Sequence, residues 1–436
     1  MTLIVTDKHI NLPKRYRKQG VVEVQRLIAV TCSAILLTSC GNGFSALVAE
    51  RLGINSRRTF ADWCRDRDSL RPEAKHTVDA LLKRAGTTEC NAANQTLSSL
   101  PTLSFSGHRI SDIKPLESLT NLTRINLSSN KISDIKPLQS LTKLTWLNLS
   151  GNKISDIKPL QSLTKLTWLN LNNNKISDIQ PLESLTNLTE LYLTSNQISD
   201  ITPLQSLTKL TWLKLSDNKI SDIKPLEFLT KLTGIYLYNN KISDIKPLES
   251  LTNLKRLYLY NNKISDIKPL ESLTKLTELY LTSNQISDIK PLQSLTKLTW
   301  LKLSDNKISD IKPLESLTKL TRLYLYNNQI SNIKLLRSLT KLIRLHLYNN
   351  KITDIKPLRS LTKLTDLYLY NNQISDIKPL ESLTNLTELY LSGNPIASKT
   401  CPRKPESFCV WKPPTEQPFE PPSIIELFRE NSYSLY

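Results

Sequence analysis

The 436-residue chain carries 58 Lys and Arg against 39 Asp and Glu, a formal net charge of +19. Histidine stands only at His9, His76, His108 and His346, too few and too scattered for a metal cluster, so no metal or other cofactor is expected. The length would ordinarily accommodate two or three domains, and the charge raises nucleic acid or an anionic membrane as partners, a question decided by where the charge lies.

Lys14, Arg15, Arg17, Lys18 and Arg26 precede an apolar run from Leu27 to Leu37, which ends in Leu37-Thr38-Ser39-Cys40-Gly41. A positive flank, a short apolar core and small residues at its end predict an export signal over 1–39, since a membrane span needs about 20 apolar residues. Leu-Thr-Ser-Cys also resembles the lipobox of bacterial lipoproteins. That resemblance implies that Cys40 becomes the acylated first residue, held in the envelope by lipid and not by a transmembrane span. An ordinary export signal with an incidental cysteine is the plainer alternative. Residues 40–51 then read as a tether.

Residues 52–99 precede a long repetitive region and are expected to cap its exposed end. Val78, Leu81, Leu82 and Ala85 fall at helical spacing, with Pro72 before them and Gly86 after, which predicts a helix over 73–85. Phe60, Trp63 and Cys64 suggest a further apolar patch. Cys64 and Cys90 bracket the helix, and in an exported chain they read as a disulfide, with two buried thiols as the alternative.

From Leu100 to Asn394 a 22-residue unit recurs about 14 times, with Asn at 130 and at every twenty-second position through 394. The average unit reads L-x-x-L-x-L-x-x-N-x-I-S-D-I-K-P-L-x-S-L-T-K, the pattern of a leucine-rich repeat. It predicts an α/β-class fold: a right-handed solenoid with a curved parallel sheet on its concave face and short turns or 3₁₀ segments on its convex face, closed by small terminal caps. The repeated Asn is expected inside each turn, satisfying backbone groups that Leu could not. The return segment Ile-Ser-Asp-Ile-Lys-Pro-Leu resembles the short-repeat class of bacterial internalins and of SDS22-like regulatory subunits of phosphatases. One unit departs from it, with Asn332 for Asp and Leu335 for Pro, where drift is a simpler explanation than a bend.

Most lysines fall in the return segment and at the edges, so the positive charge belongs chiefly to the back. On the inner strands Arg124, Lys214, Arg256, Lys302, Arg322 and Arg344 stand against Glu190, Asp217, Glu278, Asp305, Asp366 and Glu388, a neutral balance. A nucleic-acid groove would be basic where its aromatics are, so nucleic acid is disfavoured. The aromatics concentrate on this face. Trp146, Trp168, Trp212 and Trp300 hold the third place of their units. Tyr192, Tyr236, Tyr258, Tyr280, Tyr324, Tyr368 and Tyr390 hold the fifth, and Tyr238, Tyr260, Tyr326, Tyr348 and Tyr370 the seventh. Period-2 alternation points all sixteen away from the Leu core, which predicts an exposed partner-binding surface. Cross-strand stacking without a partner is the alternative. Residues 188–253 return in closely matching form at 276–341, four units later, as though units were copied as a block.

After Asn394 the repeat stops. Residues 395–412 read as a second cap with a Cys401–Cys409 disulfide, and the Pro-rich residues 413–436 as an extended tail. The function expected is a binding scaffold for a protein. The internalin resemblance implies a surface adhesin; the SDS22 resemblance would imply an intracellular phosphatase regulator. Trp and Tyr platforms leave carbohydrate as a second ligand class. Asp366 and His346 fall on adjacent inner strands, but no Ser or Cys nucleophile or shielded pocket accompanies them, so no enzyme is expected.

Overall fold

The computed structural model describes residues 58–398, 400–402 and 408–412. The expected signal, Cys40, the tether and the Pro-rich tail lie outside them. Each unit places alternating Leu residues inward across a three-residue strand. The strands run from β1 (Thr102–Ser104) and β2 (Arg124–Asn126), then every 22 residues, to β14 (Glu388–Tyr390), with β15 (Cys409–Val410) added last. All fifteen form one parallel sheet in chain order. The register is one unit from β1 to β14, as in Leu147 opposite Leu169, and β15 sets Cys409 opposite Leu389. At about 4.8 Å per strand the sheet extends for about 65 Å.

The return segments fold as 3₁₀ turns such as Lys136–Ser140 and Lys158–Ser162 on the opposite side of the Leu and Ile layers. Asp134 begins one of them by accepting the Lys136 amide on Oδ1 at 2.9 Å, and Pro137, second in the turn, has no N–H to satisfy. The repeated aspartates are therefore caps as well as counter-charges. Asn332 accepts the Lys334 amide equally well at 2.9 Å, and the turn Lys334–Ser338 survives Leu335, so the irregular unit keeps its shape.

Side-chain hydrogen bonds join the units in three rows, an unbroken Asn row, a Ser row interrupted at Phe228 and a Thr row interrupted at Lys255 and Ile343. Buried Asn152 accepts the Ile132 amide at 3.0 Å and donates to the carbonyls of Leu127 at 3.0 Å and Leu149 at 2.9 Å, as expected of an asparagine inside the turn. On the convex side Ser162 donates to the Gln139 carbonyl at 2.9 Å, and at the strand entrance Thr167 donates to the Thr145 carbonyl at 3.1 Å. The residue before each ladder asparagine takes a positive φ, 55° at Ser129, 54° at Asn173 and 66° at Gly151. Gly, Asn, Asp and Ser fill that place because larger or β-branched side chains meet the following carbonyl there.

Three helices, α1 (Phe60–Arg65), α2 (Pro72–Ala85) and α3 (Cys90–Ser99), cover the first unit. α2 matches the expected segment, with Pro at its start and Gly86 in the left-handed region at its end. α3 is additional to the sequence expectation; only Ala93 and Leu97 are buried along it, too few to mark a helical face. A disulfide joins Cys64 on α1 to Cys90 on α3. Thr77 donates to the Asp112 carbonyl at 2.6 Å, and a His76 ring nitrogen lies 2.7 Å from the His108 carbonyl oxygen, so α2 is tied to the first repeat. At the other end Cys401 is bonded to Cys409, and Val410 accepts the Leu391 amide at 3.1 Å to extend the sheet.

Candidate functional site

The parallel register converts each strand position into a column running the length of the concave face. All sixteen aromatics stand in these columns. They do not stand out freely, as period-2 alternation predicts: Tyr192, Tyr236, Tyr258, Tyr280, Tyr324, Tyr348 and Tyr370 are buried, and the other nine are half-buried. Alternation fixes the side of the sheet, but the strand spacing of about 4.8 Å fixes how closely rings in one column meet. They therefore lie on each other. Trp146 and Trp168 stack at 4.3 Å, Tyr238 and Tyr260 at 4.3 Å, Tyr326 and Tyr348 at 4.4 Å, and Tyr348 and Tyr370 at 4.2 Å. Around the middle of the sheet Tyr236, Tyr258 and Tyr280 form a second apolar cluster, flanked by Trp212 and Trp300.

The copied units are not identical where the tryptophans settle. Trp212 lies across Gly234, where an added Cβ would come within 2.2 Å of its ring. Its counterpart Trp300 meets Arg322, whose guanidinium is 4.3 Å from the ring centroid.

The charged groups of the face are likewise engaged. Arg344 pairs with Asp366 at 2.7 Å, and Glu278 accepts both Arg256 at 3.2 Å and the Tyr258 hydroxyl at 2.5 Å. Glu190 and Glu388 accept the hydroxyls of Tyr192 at 2.5 Å and Tyr368 at 2.7 Å, while Asp217 and Asp305 accept Asn239 and Asn327, each at 2.6 Å. Lys214 sits over Tyr236 at 4.6 Å, and buried Lys302 lies 4.9 Å from both the Tyr280 and Tyr324 rings. Arg124, though exposed, lies 5.0 Å over the Trp146 ring, so the six cations and six anions all have partners within the face.

Burial, the main cause, raises the hydroxyls of Tyr192, Tyr238, Tyr258, Tyr260, Tyr348 and Tyr368 above their ordinary range and pushes Tyr326 and Tyr370 up to about 12. Burial, helped by Lys302 and Arg344, pushes the His346 imidazole down to about 3. Its ring stacks on Tyr368 at 4.0 Å and meets Tyr324 edge-on at 4.6 Å. His346 is thus a neutral member of the aromatic column and Asp366 the partner of Arg344, not an acid–base pair. The 22-residue register placed these rings in columns and left cross-strand stacking open as an alternative, and it also made the positions of Lys214 and Lys302 between tyrosines readable.

A curved parallel sheet backed by 3₁₀ turns, with its varied residues gathered on the inner face, is a binding scaffold of the solenoid class. The family described as Leucine Rich repeats (2 copies) matches residues 98–140, 164–206, 208–250, 252–294 and, in overlapping pairs, 296–400; a single Leucine Rich Repeat matches 143–163. The chain belongs to the leucine-rich-repeat family, in its bacterial internalin type. An internalin (inlF) from Listeria monocytogenes is 40% identical, with 71% of this chain and 93% of that one covered and a TM-score of 0.69. A leucine-rich-repeat protein of Leptospira interrogans is 28% identical over 70% of this chain and 93% of its own, with a TM-score of 0.59. The functional domain of InlJ from Listeria monocytogenes, which includes a cysteine ladder, is 25% identical over 77% and 76%, with a TM-score of 0.62. No curated protein matches the chain. The family is one of non-catalytic protein-binding scaffolds, and among the described residues no group of His, Cys, Asp or Glu is arranged to hold a metal.

Proposed function

We propose that this chain is an exported scaffold, held at a bacterial surface by a lipid on Cys40, whose concave aromatic columns bind a protein partner. The observation that carries the binding reading is the pre-packing of those columns. Rings already locked against each other lose little conformational freedom on binding, and the half-buried ones, such as Trp146, Trp212, Tyr238 and Tyr260, offer their exposed edges to a partner from a rigid sheet. The same packing disfavours carbohydrate as the ligand, because sugar stacking needs open ring faces. Trp168 is flanked by Trp146 and Tyr192, and Trp300 by Arg322 and Tyr280. Export is supported by the two disulfides and by the internalin-type relatives; the lipid rests on the sequence around Cys40.

The test uses Tyr238 and Tyr260, half-buried and stacked, at a place where Ser216 and Ser304 stand in other units, so serine is accommodated there. A photo-crosslinker at either position of the whole mature chain should yield a discrete protein adduct, and Tyr238→Ser with Tyr260→Ser should weaken binding of that protein at least tenfold. The same adduct from a crosslinker at convex Lys136, or unchanged affinity of the double variant, would place binding elsewhere. Mass spectrometry of the mature chain checks the anchor: an N-terminus upstream of Cys40 excludes lipid attachment there.

A further inference from the structure

The irregular unit has a charge consequence separate from its shape. From Ser316 to Thr353 the chain contains no acidic residue, because Asn332 stands where the other units carry Asp and Arg337 where they carry Glu or Gln. Arg359 repeats the second change one unit later. In the 3₁₀ turns Lys334–Ser338 and Lys356–Ser360 the first and fourth residues lie on one side, since three residues make a turn. Elsewhere that side sets Lys beside Glu or Gln in most turns, as in Lys246 and Glu249 or Lys136 and Gln139; here Lys334 lies beside Arg337, and Lys356 beside Arg359. The two turns are neighbours, with Ser360 donating to the Arg337 carbonyl at 2.9 Å. Lys341 and Lys363 continue the patch at the adjoining edge. All six side chains are exposed, and among the described residues none of the six is in an ion pair. The nearest acid in sequence, Asp354, has its Oδ1 on the Lys356 amide at 2.9 Å.

Like charges at such spacing repel, and nothing in the repeat demands them, because Glu and Gln serve the same place in other units. The surface is exposed, has pairs of cations in rows along the solenoid, bounded by Glu315 and Glu381 of the adjoining turns, and lacks aromatic side chains on these turns. With Ile343 as the single exposed large apolar side chain beside it among the described residues, that combination suits a flexible polymer with many weak anionic contacts better than a folded acidic protein, which would need a cluster of apolar anchors. It also lacks the base-stacking rings of a single-strand nucleic-acid groove. We propose that this convex patch, Lys334, Arg337, Lys341, Lys356, Arg359 and Lys363, binds a linear sulfated polysaccharide. The surface is distinct from the concave columns and is independent of what they hold.

The test is binding of the whole mature chain to immobilised heparin across a salt series. Asn332→Asp, Arg337→Glu and Arg359→Glu together remove five charges while restoring residue types that other units carry at those places. A control, Lys131→Glu, Lys153→Glu and Lys175→Gln, removes five charges at the opposite edge. The patch variant should bind at least tenfold more weakly than the parent and show a shallower dependence on salt, while the control changes affinity less than threefold. Equal losses in both variants would reduce the effect to net charge and overturn the proposal, as would an unaffected patch variant. Tighter binding by the parent to duplex DNA, or to phosphatidylglycerol vesicles, than to heparin would also overturn it, assigning the patch to nucleic acid or membrane.

Discussion

Removing one rung of the asparagine ladder should cost more than the loss of a surface amide, and the structure sets the size. Buried Asn350 accepts the Ile330 amide at 3.0 Å and donates to the carbonyls of Leu325 and Leu347, each at 3.0 Å. Both carbonyls keep a second asparagine when Asn350 is gone: Asn328 on Leu325 at 3.1 Å and Asn372 on Leu347 at 3.0 Å. The Ile330 amide has no such reserve. Leaving one buried N–H unsatisfied costs about 1–3 kcal/mol, and each lost bond to an already served carbonyl about 0.5 kcal/mol, so Asn350→Ala should destabilise by about 3 kcal/mol. The loss should be local, because each repeat contacts only its neighbours. Hydrogen exchange followed by mass spectrometry, alongside urea unfolding monitored by circular dichroism, reads both the place and the size. A loss below about 1 kcal/mol, with the Ile330 amide still protected, would refute the view that the ladder satisfies these groups.

Two further outcomes are expected. His346 is held neutral with its pKa near 3, below the unfolded value of about 6.5, so its stability contribution is complete above about pH 6.5 and declines as pH falls toward 3. Between pH 7 and pH 4.5 the parent should lose about 2–3 kcal/mol that His346→Tyr retains, tyrosine being the residue of the adjoining strands at this place; equal losses measured by urea unfolding would contradict the assignment. The Cys64–Cys90 bond closes a separation of 26 residues, so replacing both by serine should cost about 3.5 kcal/mol by chain entropy, read as earlier proteolysis within the helical cap while exchange in the central strands is unchanged.

Much of the scaffold was legible because a strict period leaves few arrangements. Asn at every twenty-second position, with Leu alternating before it, dictates both the strand register and the inward amide. The return segment was readable as a turn, but the role of its Asp as a cap on the Lys amide was hidden behind its charge. α3 escaped notice because Cys90–Ser99 is mostly polar. On the concave face the columns were legible and their burial was not: it arises between Tyr258 and Tyr280, or Trp146 and Trp168, residues a unit apart in sequence whose rings meet only once the sheet is assembled. The irregular unit looked like drift by its shape, and by shape it is neutral; its meaning lies in the charges that change together at Asn332, Arg337 and Arg359.

The one-unit reach of the Asn, Ser and Thr bonds gives the molecule interchangeable joints. Apart from the boundaries at Phe228, Lys255 and Ile343, which lack a Ser or Thr bond, a cut at one unit boundary exposes the same donors and acceptors as a cut at another, so whole units can be spliced in or out with little rewriting of a neighbour. The near-copy of 188–253 at 276–341 is such a splice, and it has already diverged at Gly234 and Arg322, where Trp212 and Trp300 settle against different floors. Length in this chain can therefore change in steps of one strand while the contacts within each step are tuned separately.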